Sequence, residues 1–378
     1  MRVYFDNAAT TAIDDDVLQE MLVVMRENYG NPSSIHADGR KVRTIIETAR
    51  KKVASLLKVS PAEIFFTSGG TEADNTAITR GIKDNGITHV ISSPLEHHAV
   101  LHTLEELAKE GSIKLDLLNV DTLGHVDLLQ LEELLKKNPR TFVSLMHANN
   151  EIGTLADIEK ISNLCISYDA LFHTDTVQTM GHFVHDLSNL NVSFLAGAAH
   201  KFHGPKGVGF LYVNHRVKIK PFIHGGAQER NMRGGTENVY GIVGLAKALE
   251  IAYEHMDEHR TYIQGLKDYM REQLIQQIPG ISFNGEQDLE KSLYTVLNVS
   301  FPPTDMADML LFNLDIAGIS ASGGSACSSG SNIGSHVLTA IGVKPENPSV
   351  RFSFSKYNTK KEVDFVISKL KEVCLEKV

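Results

Sequence analysis

The stretch Ile64-Phe65-Phe66-Thr67-Ser68-Gly69-Gly70-Thr71-Glu72-Ala73-Asp74-Asn75 sets the architecture. A short apolar run meets a pair of glycines, and apolar residues then recur at helical spacing through Ile82. A strand that turns through glycine into a helix aims free backbone N–H groups, and the positive end of the helix dipole, at an anion. The Gly-Lys-Ser/Thr ending of a nucleotide-binding loop is missing, so the turn is not of that kind. Ser60-Pro61-Ala62-Glu63 resembles a helix entry, but a strand follows at once, and it reads as a short turn.

Working outward, strands and helices alternate. Upstream, Val42, Ile45, Ile46, Ala49, Val53, Leu56 and Leu57 mark the buried face of a helix. Downstream come strand 89–93, helix 96–109, strand 114–120, helix 128–137, strand 141–147 and helix 158–168. Strands 171–174 and 193–196 and a glycine-bounded strand 207–213 complete the series. This alternation predicts an α/β fold with a mostly parallel central sheet sandwiched by helices. Ligands of such sheets sit at the carboxyl ends of the strands. Loops 68–75, 96–98, 147–153, 175–178 and 198–206 are therefore expected to converge on one crevice.

A long helical pattern from about Tyr240 to Ile278, bending near 255–259, leads into a smaller α/β unit. That unit holds strands 281–283, 294–301 and 350–355 and helices 306–313 and 360–377, and the first dozen residues are expected to return to it. The division predicted is a large domain over 14–254 and a small domain made of 1–13 and 255–378. Residues 320–334, dominated by Gly and Ser around Cys327, read as a mobile loop of the small domain.

Composition narrows the function. The chain has 378 residues, 42% hydrophobic and 22% charged, with a mean hydropathy of −0.12. Its formal charge of −9 argues against nucleic acid or an anionic membrane as the main partner. No apolar run has the length of a bilayer span, and the N-terminus has no secretory apolar region. Three cysteines without a secretory signal do not form a disulfide framework, so a cytoplasmic location is expected.

Lys201 follows an apolar strand inside Phe194–Gly209, and an amine at the edge of a core is costly unless something neutralises it. An aldehyde cofactor condensing with that amine would do so. Pyridoxal phosphate would also need a carboxylate for its ring nitrogen, and Asp175 ends the strand before Thr176. Gly70, Thr71 and His200 are candidates for the phosphate, and His97, Asn150 and Gln178 for the ring and its phenolic oxygen. Cys327, exposed among serines and glycines, suits a nucleophile that travels, whereas Cys165 and Cys374 lie on helical patterns. Arg351 is the candidate fork for a substrate carboxylate. His98 and His102 stand one helical turn apart, but no third ligand appears at a telling spacing, and no metal is expected.

Ten motifs carry a resemblance that runs nearly end to end: YFDNAATT at 4–11, GNPSSIH at 30–36, FTSGGTEADN at 66–75, EHHAV at 96–100, HANNEIG at 147–153, HTDTVQ at 173–178, HKFHGPKG at 200–207, RGGTENV at 233–239, SGGSACSSGS at 322–331 and SVRFSF at 349–354. The chain resembles the class I cysteine desulfurases of the NifS/IscS type, fold-type I pyridoxal phosphate enzymes. That resemblance implies Lys201 as the Schiff-base lysine, Cys327 as the persulfide-forming nucleophile and His97 stacked on the ring and assisting proton transfer, with Lys201 or His97 removing the Cα proton. It implies Asp175 at the pyridine nitrogen, with Gln178 and Asn150 at the phenolic oxygen and the substrate. Gly70, Thr71 and His200 would hold phosphate, joined by Thr236 from the partner subunit of a homodimer. Arg351, with the loop of Asn31, would hold the substrate carboxylate. The substrate implied is L-cysteine, with alanine as product and sulfur passed to an acceptor protein for iron–sulfur cluster, thio-cofactor or tRNA synthesis. Another pyridoxal phosphate reaction, such as an aminotransferase or β-lyase, and a non-catalytic sulfur-relay scaffold are the alternatives. Two departures stand out: Ala198 occupies the place of a serine that usually contacts phosphate, and the chain ends at Val378, soon after the last helical pattern, where relatives serving iron–sulfur scaffolds often continue.

Overall fold

The computed structural model describes residues 1–303, 309–323 and 334–375. In chain order the elements begin with β1 (Val3–Tyr4), α1 (Asp15–Glu27), α2 (Ala37–Leu56), β2 (Ile64–Thr67), α3 (Gly70–Asp84), β3 (His89–Ser92), α4 (His98–Lys109) and β4 (Lys114–Leu117). Next come α5 (Leu128–Lys137), β5 (Thr141–Ser144), α6 (Ile158–Ser167), β6 (Leu171–Asp175), β7 (Phe194–Ala198), β8 (Gly209–Val213) and the single turn α7 (Gln228–Asn231). The chain continues through α8 (Val239–Glu254), α9 (Met256–Gln277), β9 (Ser282–Asn284), β10 (Val296–Ser300), α10 (Leu310–Ile316), β11 (Ile319–Ser320), α11 (His336–Ala340), β12 (Ser349–Ser353) and α12 (Lys360–Leu375).

Seven strands form the main sheet in the order β2-β8-β7-β6-β5-β3-β4. Only β8 runs against its neighbours, pairing antiparallel with both β2 and β7. β3, β5, β7 and β8 are buried at every residue, as strands covered on both faces must be. Alternation inside them sorts the two faces. Phe194, Ala196, Leu211 and Val213 pack with Ala73, Ala77, Ile78 and Ile82 of α3 and with Val100 and Leu104 of α4. Leu195, Phe210 and Tyr212 face the other way, among residues of α1, α2, α6 and α8. At Gly81 a Cβ would come within 2.8 Å of Phe142 and 2.9 Å of Phe194, so glycine lets α3 lie close on the sheet.

A second apolar cluster joins Leu266 and Met270 of α9 to Leu297, Val299, Val350, Phe352, Val363 and Val366. Val3 and Phe5 belong to it, β1 pairs with β11, and Asp6 bridges to Ser353. The N-terminal residues thus pack on the C-terminal unit. The long helical pattern does bend: α8 ends with His255 as its C-cap, and α9 starts at Met256. No helix among the described residues is long and apolar enough to cross a membrane.

Several boundaries differ from the sequence reading. α1, capped by Asp14, falls in a stretch assigned no element there. The helix expected from Glu96 starts at His98, because Nδ1 of His97 accepts the N–H of Ala99 and makes His97 the cap. β4 and β5 stop at Leu117 and Ser144, short of the expected ends at 120 and 147. The helix expected at 306–313 is seen from Leu310 to Ile316, its start lying outside the described residues.

Candidate active site

A cavity of about 250 Å³ opens at the carboxyl ends of β2, β3, β5, β6 and β7. All five loops singled out in the sequence supply its walls. Gly70, Thr71 and Asp74 come from the first, His97 and His98 from the second, and Asn150 and Glu151 from the third. Asp175, Val177 and Gln178 come from the fourth, and Ala198, His200 and Lys201 from the fifth. A larger cavity, about 760 Å³, runs behind Met146 past Arg260 and Lys291, but Lys201, Asp175 and the start of α3 do not line it.

The anion end is built as the strand–glycine–helix sequence requires. Gly69 is the N-cap of α3 and contributes no side-chain cap, so the first-turn N–H groups have no side-chain acceptor of that kind. A Cβ on Gly70 would lie 2.7 Å from Val177 and 3.7 Å from the Ala198 methyl, which places Ala198 beside the helix start. Nδ1 of His200 lies 3.2 Å from Oγ1 of Thr10. Burial pushes the His200 imidazole down to about 4, with help from Lys201, so it is neutral at physiological pH.

Lys201 lines the same cavity. Its Nζ donates to the carbonyl oxygens of Ala8 at 2.5 Å and Ala9 at 2.9 Å. Nε2 of Gln178 donates to the same Ala8 oxygen at 3.0 Å. The N-terminal motif 4–11 thereby positions both groups, a contribution that its sequence alone did not assign. At the far wall Oδ1 of Asp175 accepts the N–H of Val177 at 2.8 Å. Burial first, then the neighbouring Asp74, raises the Asp175 carboxyl to about 7. His97 is held down to about 4 by burial and next by Lys201. With Nδ1 accepting from Ala99, its Nε2 carries the hydrogen of the neutral ring.

Arg351 lines the cavity at 1% exposure, but its fork is already engaged. Nη2 donates to Oδ1 of Asp6 at 2.9 Å and Nη1 to the carbonyl of Asn150 at 2.8 Å, while Nε has no partner among the described residues. Thr236 and Asn31 do not line the cavity. Thr236 is exposed, beyond the Arg233–Glu72 ion pair (2.9 Å) that ties its loop to the start of α3. Asn31 is exposed and accepts the N–H of Ser33.

Cys327 lies outside the described residues. The described residues on either side of it are anchored at the cavity. Ser322 exchanges backbone hydrogen bonds with Arg351, and His336 lines the wall, with Nε2 3.0 Å from the carbonyl of Glu96. Cys165 is buried and its thiol pushed up to about 12, an inert core residue. His98 and His102 contact each other at 2.9 Å, and no group of three or more metal-binding side chains occurs among the described residues.

Asp74, Glu151 and His336 line the site without having been singled out. Asp74 had a visible signal, its position inside the 68–75 loop, whereas His336 lies just past the 322–331 motif and inside none. Glu151 had a visible signal, its position inside the 147–153 loop. Ser335 Oγ now hydrogen-bonds to its Oε2.

A lysine amine, a buried carboxylate and a helix start without a side-chain cap share one cavity. The aminotransferase class-V family matches over residues 3–366. The chain is 43% identical over 376 residues to the cysteine desulfurase IscS of Dictyoglomus turgidum, covering 98% of this chain and 94% of that protein. A solved NifS-like protein superimposes with a TM-score of 0.91 at 41% identity, with 99% of each chain covered. SspA, solved in complex with cysteine, gives a TM-score of 0.80 at 32% identity over 95% of this chain and 100% of that one. The chain belongs to the class-V aminotransferase family and, within it, to the cysteine desulfurases.

Proposed function

We propose that the chain removes sulfur from L-cysteine by moving it onto Cys327, with Lys201 as anchor and base, and hands it to an acceptor protein. The observation that carries this reading is positional. Lys201 and Asp175 face one cavity, and the chain on both sides of Cys327 is fastened to the wall of that cavity.

The cofactor is pyridoxal 5′-phosphate, and the residues present fit it. The start of α3 suits the phosphate, Asp175 the ring nitrogen, Lys201 the aldehyde carbon and the neutral His97 ring the open face. When bound, it supplies an electron sink that allows the Cα–H bond of the substrate to break. Nε2 of His97 already carries a hydrogen, so Nζ of Lys201 is the atom that takes the Cα proton. The Cys327 thiolate then forms a bond to the substrate sulfur as the C–S bond breaks. The electron pair of that bond stays with the three-carbon fragment, whose Cβ gains a proton and whose Cα regains the one held by Lys201 before it leaves as alanine. Gln178 and Asn150 hold the polar edge of the bound ligand. Arg351 takes the substrate carboxylate once its bond to Asp6 is exchanged for it.

The working form we infer is a cytoplasmic homodimer. Thr236, exposed in the loop that the Arg233–Glu72 ion pair ties to α3, would reach the phosphate site of a second copy. The acceptor is a protein bearing a thiol or a cluster-building site.

Cys327→Ala is the test. The variant is expected to keep the yellow cofactor absorption yet lose alanine and sulfide production. Full turnover by Cys327→Ala would refute the sulfur-transfer step. Ala198 offers a second handle. A serine there would bring a hydroxyl beside Gly70, and a hydrogen bond to a charged group contributes about 1.5 kcal/mol or more. Ala198→Ser is therefore expected to tighten cofactor binding about tenfold, measured by dialysis of the apoprotein against graded cofactor.

A further inference from the structure

Behind Asp175 lies a second buried acid that the reaction above does not use. Asp74, on the first turns of α3, is 1% exposed and lines the cavity floor. Among the described residues its Oδ1 has no hydrogen-bond partner, and neither has Nε2 of His173, itself fully buried on β6. The two orphan atoms lie 3.3 Å apart. The other ring nitrogen of His173, Nδ1, is 2.9 Å from Oγ of Ser144 on β5. Two residues along β6, Asp175 accepts the N–H of Val177. Glu96, buried on the loop before α4, and Lys201 are the other charged groups that bear on this cluster.

Asp74 and Asp175 repel each other in a dry site, so ionising both is costly and one holds a proton. The surroundings choose which. Asp175 has a backbone donor and the Lys201 amine nearby, both of which favour its anion. Asp74 has only the imidazole. We propose that Asp74 keeps its proton at neutral pH and donates it to Nε2 of His173, leaving Asp175 to carry the charge that a pyridinium nitrogen needs. One O–H···N bond then satisfies both orphan atoms, and Nδ1–H of His173 donates to Ser144. Burial raises Asp74 to about 8 and lowers His173 to about 4. Asp74 and His173 are positioning residues. They act through Asp175, and the inference rests on the reading of Asp175 as the partner of the ring nitrogen.

The test is infrared difference spectroscopy of the wild-type holoenzyme against Asp74→Asn at neutral pH. The expected difference is the carbonyl band of a protonated acid, shifted by deuterium exchange and absent from the variant. Loss of carboxylate bands alone would overturn the proposal. Asn keeps a donor toward His173 without adding charge, so the acid limb of cofactor affinity against pH is expected to stay in place. A limb displaced to lower pH by about one unit or more would mean that an anion had been removed, and would also overturn it. Carbon NMR titration of the wild-type protein, labelled at aspartate, reads the same protonation without a substitution. There Asp74 is expected to titrate after Asp175, and the reverse order contradicts the proposal. Asp175→Asn separates the two claims. If that variant leaves the acid limb untouched, the reading of Asp175 fails, whereas the Asp74 band reports on Asp74 alone.

Discussion

Lys201→Ala is expected to leave a folded protein that no longer retains pyridoxal phosphate through gel filtration. Alanine production from cysteine should fall by about 10³-fold or more, the scale on which removal of a covalent catalytic group acts. The fold should survive because the amine's partners are the carbonyls of Ala8 and Ala9, and Gln178 still donates to Ala8. Circular dichroism unchanged beside lost absorption is the predicted pair of results. A variant that stayed yellow after filtration would contradict the assignment of Lys201.

Asp175→Asn is expected to act in opposite directions on stability and on cofactor binding. In the native protein without cofactor the Asp175 carboxyl is raised from 3.8 to about 7. Between those values the folded chain holds a proton that the unfolded chain has released, so this group's contribution to stability falls as pH rises through that window. Above about pH 7 the full cost is present, up to about 4 kcal/mol for a shift of this size. Asparagine removes the charge and hence the cost. The apoprotein variant should therefore melt at a higher temperature than wild type at pH 8, with the difference vanishing near pH 4. Cofactor affinity should move the other way, because an amide does not keep the ring nitrogen protonated. Differential scanning calorimetry at the two pH values, with cofactor titration at pH 8, checks both signs. Equal melting at pH 8 would show that Asp175 is not ionised there at a cost.

How the site was legible explains where the reading of the sequence ran short. The alternation of strands and helices located the sheet, and the strand-end rule located five loops that do meet. β8 escaped in one respect: Gly209–Val213 is buried at every residue, and a strand covered on both faces looks the same in sequence whether it runs parallel or antiparallel. Arg351 looked like an open fork because its partner, Asp6, lies 345 residues away and no local pattern couples them. Asp74 lay in a loop already expected at the crevice, but its role depends on His173 arriving from another strand. His97 was visible as a candidate, but its role as the cap of α4 follows from a backbone turn that spacing does not reveal. Residues that act through the local chain were readable, and those that act through a distant partner were not.

The most direct measurement is the product balance of the purified protein reconstituted with pyridoxal phosphate and given L-cysteine. The account predicts alanine and sulfur in equal amounts, with the sulfur appearing first as a persulfide on Cys327 and then, with added thiol, as sulfide. Pyruvate and ammonia in place of alanine, or a keto acid formed with cysteine sulfur intact, would contradict it.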